Sequence, residues 1–280
     1  MKHKMAILVL LAANATAQAD LIDIVASGSG ANVETISQVV MDVTTTSGTS
    51  TITQNAPDLS ASKEASSAIL KSITTSGVTL NQFSALTPTI HNETFPATAS
   101  NIEVFTPTAA VNVADASFFS ELAEMHSTGD LMQYLRVDST SAQPMWDIRY
   151  GATFDSSDYL VVEERNGNTT FTVEALDALG NTIPGSDTLS FDGSSYDWDI
   201  GYANELDPFS NQSQVMSVLS FDLFNTTTPI GGFRIHDTGQ ADFKFFIGTS
   251  TPEPSALSLA AMLAFCGVRR RSRQRKPTHV

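Results

Sequence analysis

The sequence predicts a mainly β protein, an antiparallel β-sandwich or jelly-roll ectodomain with one or two short helices, and three observations carry that expectation. Short runs alternate apolar and polar residues with the period of two that a half-buried strand needs, as in Phe171-Thr172-Val173-Glu174-Ala175. Polar turns separate the runs. No long helical pattern intervenes after Trp146, which argues against strand–helix–strand units and a parallel sheet.

The elements follow in order. Leu21-Ile22-Asp23-Ile24-Val25 and Ile36 to Val43 are short apolar runs, and Thr44 to Thr53 is a Ser/Thr tract read as an exposed strand or loop. Asp58 can cap a helix in which Ala61, Ala65, Ile69 and Ile73 recur every four residues. Asp115 can cap a second over Ala116 to His126, with Phe118, Phe119, Leu122 and Met125 on one side; both are expected to pack on a sheet. Pro88, Pro96 and Pro107 cut the stretch between them into short extended pieces. The strand signal is clearest over 146–248. There, Tyr159 to Glu163 and Phe171 to Ala175 read as two strands of a hairpin joined around Asn166-Gly167, with Glu163-Glu164 on a solvated edge. Val218 to Phe224 puts Leu219, Phe221 and Leu223 on one strand face, Gly232 to His236 alternates around Phe233 and Ile235, and Ala241 to Ile247 groups Phe243, Phe245 and Ile247. Asp237 to Gln240 is the turn between the last two.

Both ends of the chain read as addresses. Lys2, His3 and Lys4 form a positive region, Met5 to Ala13 an apolar one, and Ala17-Gln18-Ala19 a small-x-small site for signal peptidase, which makes 1–19 a signal peptide and Asp20 the expected mature N-terminus. At the other end, Pro252-Glu253-Pro254 precedes the apolar run Ser255 to Val268 and the cluster Arg269, Arg270, Arg271, Arg273, Arg275 and Lys276. The prolines forbid a continuous helix upstream, and the arginines resist crossing a bilayer. At 1.5 Å per residue the apolar run spans roughly 21 Å against a hydrocarbon core of about 30 Å, which suits a transient anchor better than a permanent one. Residues 251–276 closely resemble the PEP-CTERM sorting signal of bacteria. That resemblance implies recognition by an exosortase, a membrane-embedded processing enzyme that removes the tail near the triplet; 277–280 is a short extension beyond the signal.

A second resemblance covers roughly Asp147 to Gly248. The phrases YLVVEERNGNTTFTVEALDALGNTI, YDWDIGYA and GGFRIHDTGQADFKFF are similar to the ectodomain of exosortase-dependent surface proteins. The group implies a cell-surface or extracellular location for the ectodomain, 20–250, and a β fold; it brings no catalytic residues with it.

Composition sharpens the expectation. Of fifteen Lys+Arg, two sit in the signal peptide and six in the tail, so residues 20–253 set seven cations against all thirty acids, a net charge of −23. Such a body repels nucleic acid and anionic membranes and favours solubility or cation binding. The single cysteine, Cys266, lies in the tail, so the body can form no disulfide.

The residues that could carry chemistry are few. Asp187, Asp192, Asp197 and Asp199, with Glu205 and Asp207 beyond, offer hard oxygen ligands for Ca²⁺, with Asp192, Asp197 and Asp199 the candidate metal ligands, although no EF-hand or nonapeptide spacing is present; the other reading is solvated turn acids. Tyr196, Trp198 and Tyr202 could stack on sugar rings, but the shared parity of Tyr196, Trp198 and Ile200 points to a core-facing strand. His91, His126 and His236 form no HExxH pair, and neither GxSxG nor a phosphate loop occurs. Glu163 and Glu164 point to opposite faces of a strand and cannot flank one glycosidic bond. The expectation is an exported, exosortase-processed surface or extracellular-matrix protein with a structural or adhesive role and no enzymatic activity. The alternatives are a secreted carbohydrate-binding or carbohydrate-degrading protein, for which extracellular polysaccharide is the candidate ligand, and an uncut envelope protein anchored in the inner membrane.

Overall fold

Alternate residues of one strand, Tyr159–Arg165, belong to two different hydrophobic cores: Leu160 and Val162 pack in one, Val161 in the other. A strand buried on both faces must lie in a middle layer. The computed structural model describes residues 33–250 apart from 61–62, 76–77, 84–86, 96–101, 138–142, 156, 166–169, 193–197, 208–211 and 238–241. The signal peptide with Ala17, Ala19 and Asp20, and the tail with Pro252, Glu253, Pro254, Arg269, Arg270 and Arg271, lie outside the described residues.

The strands run β1 (Val33–Glu34), β2 (Ile36–Thr45), β3 (Gly48–Gln54), β4 (Lys63–Ala65), β5 (Ser67–Thr75), β6 (Thr79–Leu80), β7 (Gln82–Phe83), β8 (Thr89–Thr94), β9 (Ile102–Phe105) and β10 (Ala110–Asn112). After α1 (Phe118–Met125) come β11 (Tyr134–Val137), β12 (Met145–Phe154), β13 (Tyr159–Arg165), β14 (Thr170–Leu176), β15 (Leu189–Asp192), β16 (Trp198–Asp199), β17 (Tyr202–Asn204), β18 (Gln214–Ser220), β19 (Ile230–Asp237) and β20 (Asp242–Thr249). The middle sheet has the order β1-β18-β13-β20-β11-β9-β10, with β16 beside β18 and β7 beside β20. A five-stranded sheet, β15-β14-β19-β12-β8, contributes Phe171, Val173, Ala175, Phe233 and Ile235 to the core shared with Phe243, Phe245 and Ile247 of the middle sheet. A four-stranded sheet, β3-β2-β5-β6, contributes Val39, Met41, Val43 and Ile73 to the other core, with Met216, Val218 and Phe246. All these sheets are antiparallel; among the described residues only the short pair β17 and β4 is parallel.

The helix expected from Asp58 to Ile73 is instead the strands β4 and β5. A repeat of four is also an even repeat, so Ala65, Ile69 and Ile73 fit one strand face as well as one helix stripe, and Ile69, Ile73, Thr74 and Thr75 bring β-branched preference. Register shifts between β2 and β5 then move burial from Ala68 and Leu70 to Ile73 and Thr75, leaving Ile69 exposed. The second helix forms as α1. Ser117, rather than Asp115, occupies its cap position, and Phe118, Leu122 and Met125 are buried while Phe119 is partly exposed.

Two further expectations change. β13 and β14 do not pair: one belongs to the middle sheet, the other to the five-stranded sheet, and Asn166 and Gly167 lie outside the described residues. β19 and β20 likewise belong to different sheets, and 238–241 lie outside the described residues. The strand expected through Phe224 ends at Ser220, where the serine hydroxyl accepts from the Asp222 amide at 3.2 Å and starts a 3₁₀ turn over Phe221–Phe224. Leu219, Phe221 and Leu223 still share one core, because that turn folds back over the same sheet face.

Candidate functional site

The chemistry-bearing residues gather on the face of the middle sheet turned away from the five-stranded sheet. Strand register builds a transverse row there. Arg165 lies opposite Gln214, Arg136 lies opposite both Asp242 and Glu103, and Asn112 lies opposite Glu103. Arg165 donates to Asp242 and to Asp207, Arg136 donates to Glu103 and sits 3.6 Å from Asp207, and the Tyr134 hydroxyl donates to Asp207. The row alternates in sign, as cross-strand neighbours must if buried charges are to be tolerated. Burial pushes the Asp242 carboxyl up to about 6 against the pull of Arg165. Burial, with the Asp207 carboxylate, also pushes the Tyr134 hydroxyl upward, which keeps it a donor.

The next row holds Glu163 opposite Lys244, both fully buried. Lys244 Nζ donates to the Asp130 carbonyl at 2.6 Å and to Thr128 Oγ1 at 3.2 Å, and burial pushes it down to about 8. Both carboxylate oxygens of Glu163 are buried without a hydrogen-bond partner, and burial pushes this carboxyl well above its ordinary range. Glu164 is buried as well, on the opposite face. The expected solvated edge is therefore wrong: β18 and β20 flank β13 on either side, and a packed sheet covers each of its faces.

Asp207 belongs to this row because its segment is pinned. Asn204 Nδ2 donates to the Met132 carbonyl at 2.6 Å, and the Glu205 amide donates to the Ala65 carbonyl at 3.0 Å. The sequence-predicted acids consequently separate. Asp207 is an internal ion-pair partner; the Asp199 carboxylate accepts from the Gly201 amide at 2.7 Å and Ser213 Oγ at 2.8 Å; the Asp187 amide donates to the Phe224 carbonyl at 2.9 Å. Asp197 and the side chain of Asp192 lie outside the described residues. Among the described residues, no three His, Cys, Asp or Glu side chains are grouped to hold a metal. Gly201 is required in its turn: it has φ +70°, and a Cβ there would meet the Asp58 carboxylate at 2.6 Å.

Trp198 is a core residue, its Nε1 donating to Gln54 Oε1 at 2.8 Å, and Tyr202 is buried under Lys63, so neither offers a stacking platform. Tyr196 lies outside the described residues. On the outer face of the five-stranded sheet, Asp147 accepts from Arg234, Arg149 and Asn92; burial pushes its carboxyl up, but these donors together hold it below the ordinary range. Every cation of residues 20–253 is thus engaged: Lys63 with Asp58, Lys71 with Asp42, four arginines in the pairs above, and Lys244 internally. The exposed charge of this part of the chain is left acidic.

No family model matches the chain, and no curated protein matches it. The chemistry must be judged from the residues themselves. The carboxylates of the buried rows are enclosed with their cations. Such an arrangement fixes the 199–207 segment and the 128–130 turn onto the middle sheet.

His126 gives a measurable consequence. Its ring is fully buried, Nδ1 donates to the Phe245 carbonyl at 2.9 Å, and burial holds its pKa at about 3. A base depressed in the folded state contributes stability that is present above its unfolded pKa of about 6.5 and lost as pH falls toward the folded value. Asp242, raised to about 6, works the other way: its contribution is present below about 4 and lost as pH rises through 6. Replacing His126→Asn, which keeps the donor and removes the titration, should flatten the loss of stability between pH 6 and pH 4. Urea titrations at both pH values measure it, and an unchanged slope would mean that His126 is not held neutral.

Proposed function

We propose that the protein is an exported β-sandwich ectodomain delivered to the cell surface or extracellular polysaccharide matrix by an exosortase-type enzyme, where it acts structurally or adhesively and catalyses no reaction. The observation that carries this reading is the C-terminal order Pro252-Glu253-Pro254, apolar run, arginine cluster, together with a signal peptide at the opposite end. Three features of the body support it. The arginines of the body are paired with carboxylates, the exposed charge is acidic, and residues 20–250 contain no cysteine, so the body folds independently of redox conditions. An acidic, cation-depleted exterior suits association with neutral or cation-bridged polymer and disfavours nucleic acid.

The tail tests the reading. Glu253→Ala, or deletion of Arg269 to Arg271, should leave uncut precursor in the membrane fraction while the body still folds. Blots of fractionated wild-type cells should show a species shorter by roughly 26 residues, Ser255 to Val280. Wild-type protein that keeps its C-terminus at the cell surface would replace this proposal with a permanently anchored envelope protein.

A further inference from the structure

Sheet edges are where this molecule can gain a partner, and they are not equally protected. β1 and β6 are two residues long, β10 three and β15 four. β8 is longer, but its pairing with β12 shifts register between Met145 and Asp147, and Asn92 within it takes φ +49°. Short and bulged edges resist pairing with another chain. β3 is the exception. Its seven residues pair with β2 without any register shift, from Thr45 opposite Gly48 to Val39 opposite Gln54, and among the described residues nothing pairs with its outer side. Gly48, Thr49, Ser50, Thr51 and Thr53 are exposed, and the strand contains neither proline nor charge.

We propose that β3 pairs antiparallel with β3 of a second copy of this chain, about a two-fold axis through Thr51, so that two four-stranded sheets become one continuous sheet. Charge selects this occupant and this place. From Val43 to Pro57 there is no ionisable side chain, in a body with net charge −23. The flanking Asp42 carboxylate is already held by Lys71 at 2.9 Å and by Thr51 Oγ1 at 2.6 Å. Two acidic molecules repel each other least along such a strip. The strand is also self-complementary. Centring on Thr51 sets Thr49 opposite Thr53, a favourable cross-strand pair, and Ser50 opposite Ile52. Ile52, partly buried against the core with Met41 and Val39, would complete its burial under the partner strand. This pairing goes beyond the sorting proposal and does not depend on it: a chain whose tail is never cut would still dimerise.

The test is the molar mass of the purified full chain by light scattering between about 1 and 500 µM, the range expected of a small transient interface. Wild type should rise toward twice the monomer mass, and more readily as salt screens the body charge. The double variants Thr49→Glu/Thr53→Glu and Thr49→Lys/Thr53→Lys each set like charges opposite one another in the pair and should stay monomeric, with unchanged far-UV circular dichroism. Mixing the two should restore the dimer, because every Glu then faces a Lys. A wild type that stays monomeric throughout overturns the proposal, as does a dimer that persists in both variants or a mixture that fails to associate.

Discussion

Arg165→Met should cost the folded protein about 3–5 kcal/mol, one of the two largest losses expected from a single substitution here. Its guanidinium pairs with both Asp207 and Asp242, and all three side chains are almost fully buried. Removing it takes from two carboxylates in a low-dielectric layer the cation that bridges them, with Arg136 and the Tyr134 hydroxyl remaining beside Asp207. The loss should depend on pH with a definite sign. Asp242 is already raised to about 6, so its contribution is present at low pH and lost as pH rises; without Arg165 that decline should extend to higher pH. The variant should therefore lie closer to wild type at pH 5 than at pH 8 in urea titrations. Replacing Arg165, Asp207 and Asp242 together by apolar residues of similar volume should cost far less than Arg165→Met alone, because no charge is then stranded. A loss below about 1 kcal/mol, or a gap that does not change with pH, would show that the row is open to water and not enclosed.

The mainly β class was legible in the chain because its basis is local. Phe171, Val173 and Ala175, or Phe243, Phe245 and Ile247, announce a strand face by parity alone, and each set is buried as parity requires. The layering was not legible. On β13 and β20 the second face carries Glu163 and Arg165, Asp242 and Lys244, which a two-layer reading assigns to solvent, whereas here another layer covers it. The available signal was the apolar Val161 and Phe246 on that same face, out of place if water lay beyond it. Asn166-Gly167 misled for a related reason: a tight-turn dipeptide marks a reversal of the chain but not whether the returning strand pairs beside its predecessor or crosses to the facing sheet. The charged row was invisible in sequence because its members come from β9, β11, β13, β20 and the segment after β17, and only register aligns them. Asp207 looked like part of a loop of acids until the hydrogen bonds of Asn204 and Glu205 drew it under the sheet.

Phe243→Ala should destabilise by a comparable amount, about 3–5 kcal/mol, through a different cause. Phe243 is fully buried on β20, where it stacks on Phe171 of β14 with centroids 4.1 Å apart and lies 5.8 Å from Trp146 of β12. Phe171 in turn stacks on Phe191 of β15 at 4.6 Å. One ring of the middle sheet is thereby locked against two side chains of the five-stranded sheet, and its removal opens a cavity that backbone pairing on both sides of β20 prevents from collapsing. Phe243→Leu, which keeps much of the volume, should lose less. The contact between layers can be isolated by a double-mutant cycle on Phe171 and Phe243, which should give a coupling of about 0.5–1.5 kcal/mol beyond the buried area. Phe246, one parity away on the same strand, packs in the opposite core, so a cycle between Phe171 and Phe246 should give almost none. Urea midpoints at constant m measure all three terms. Equal coupling of Phe171 to both phenylalanines would mean that the two faces of β20 do not separate two cores, and the layered architecture would have to be redrawn.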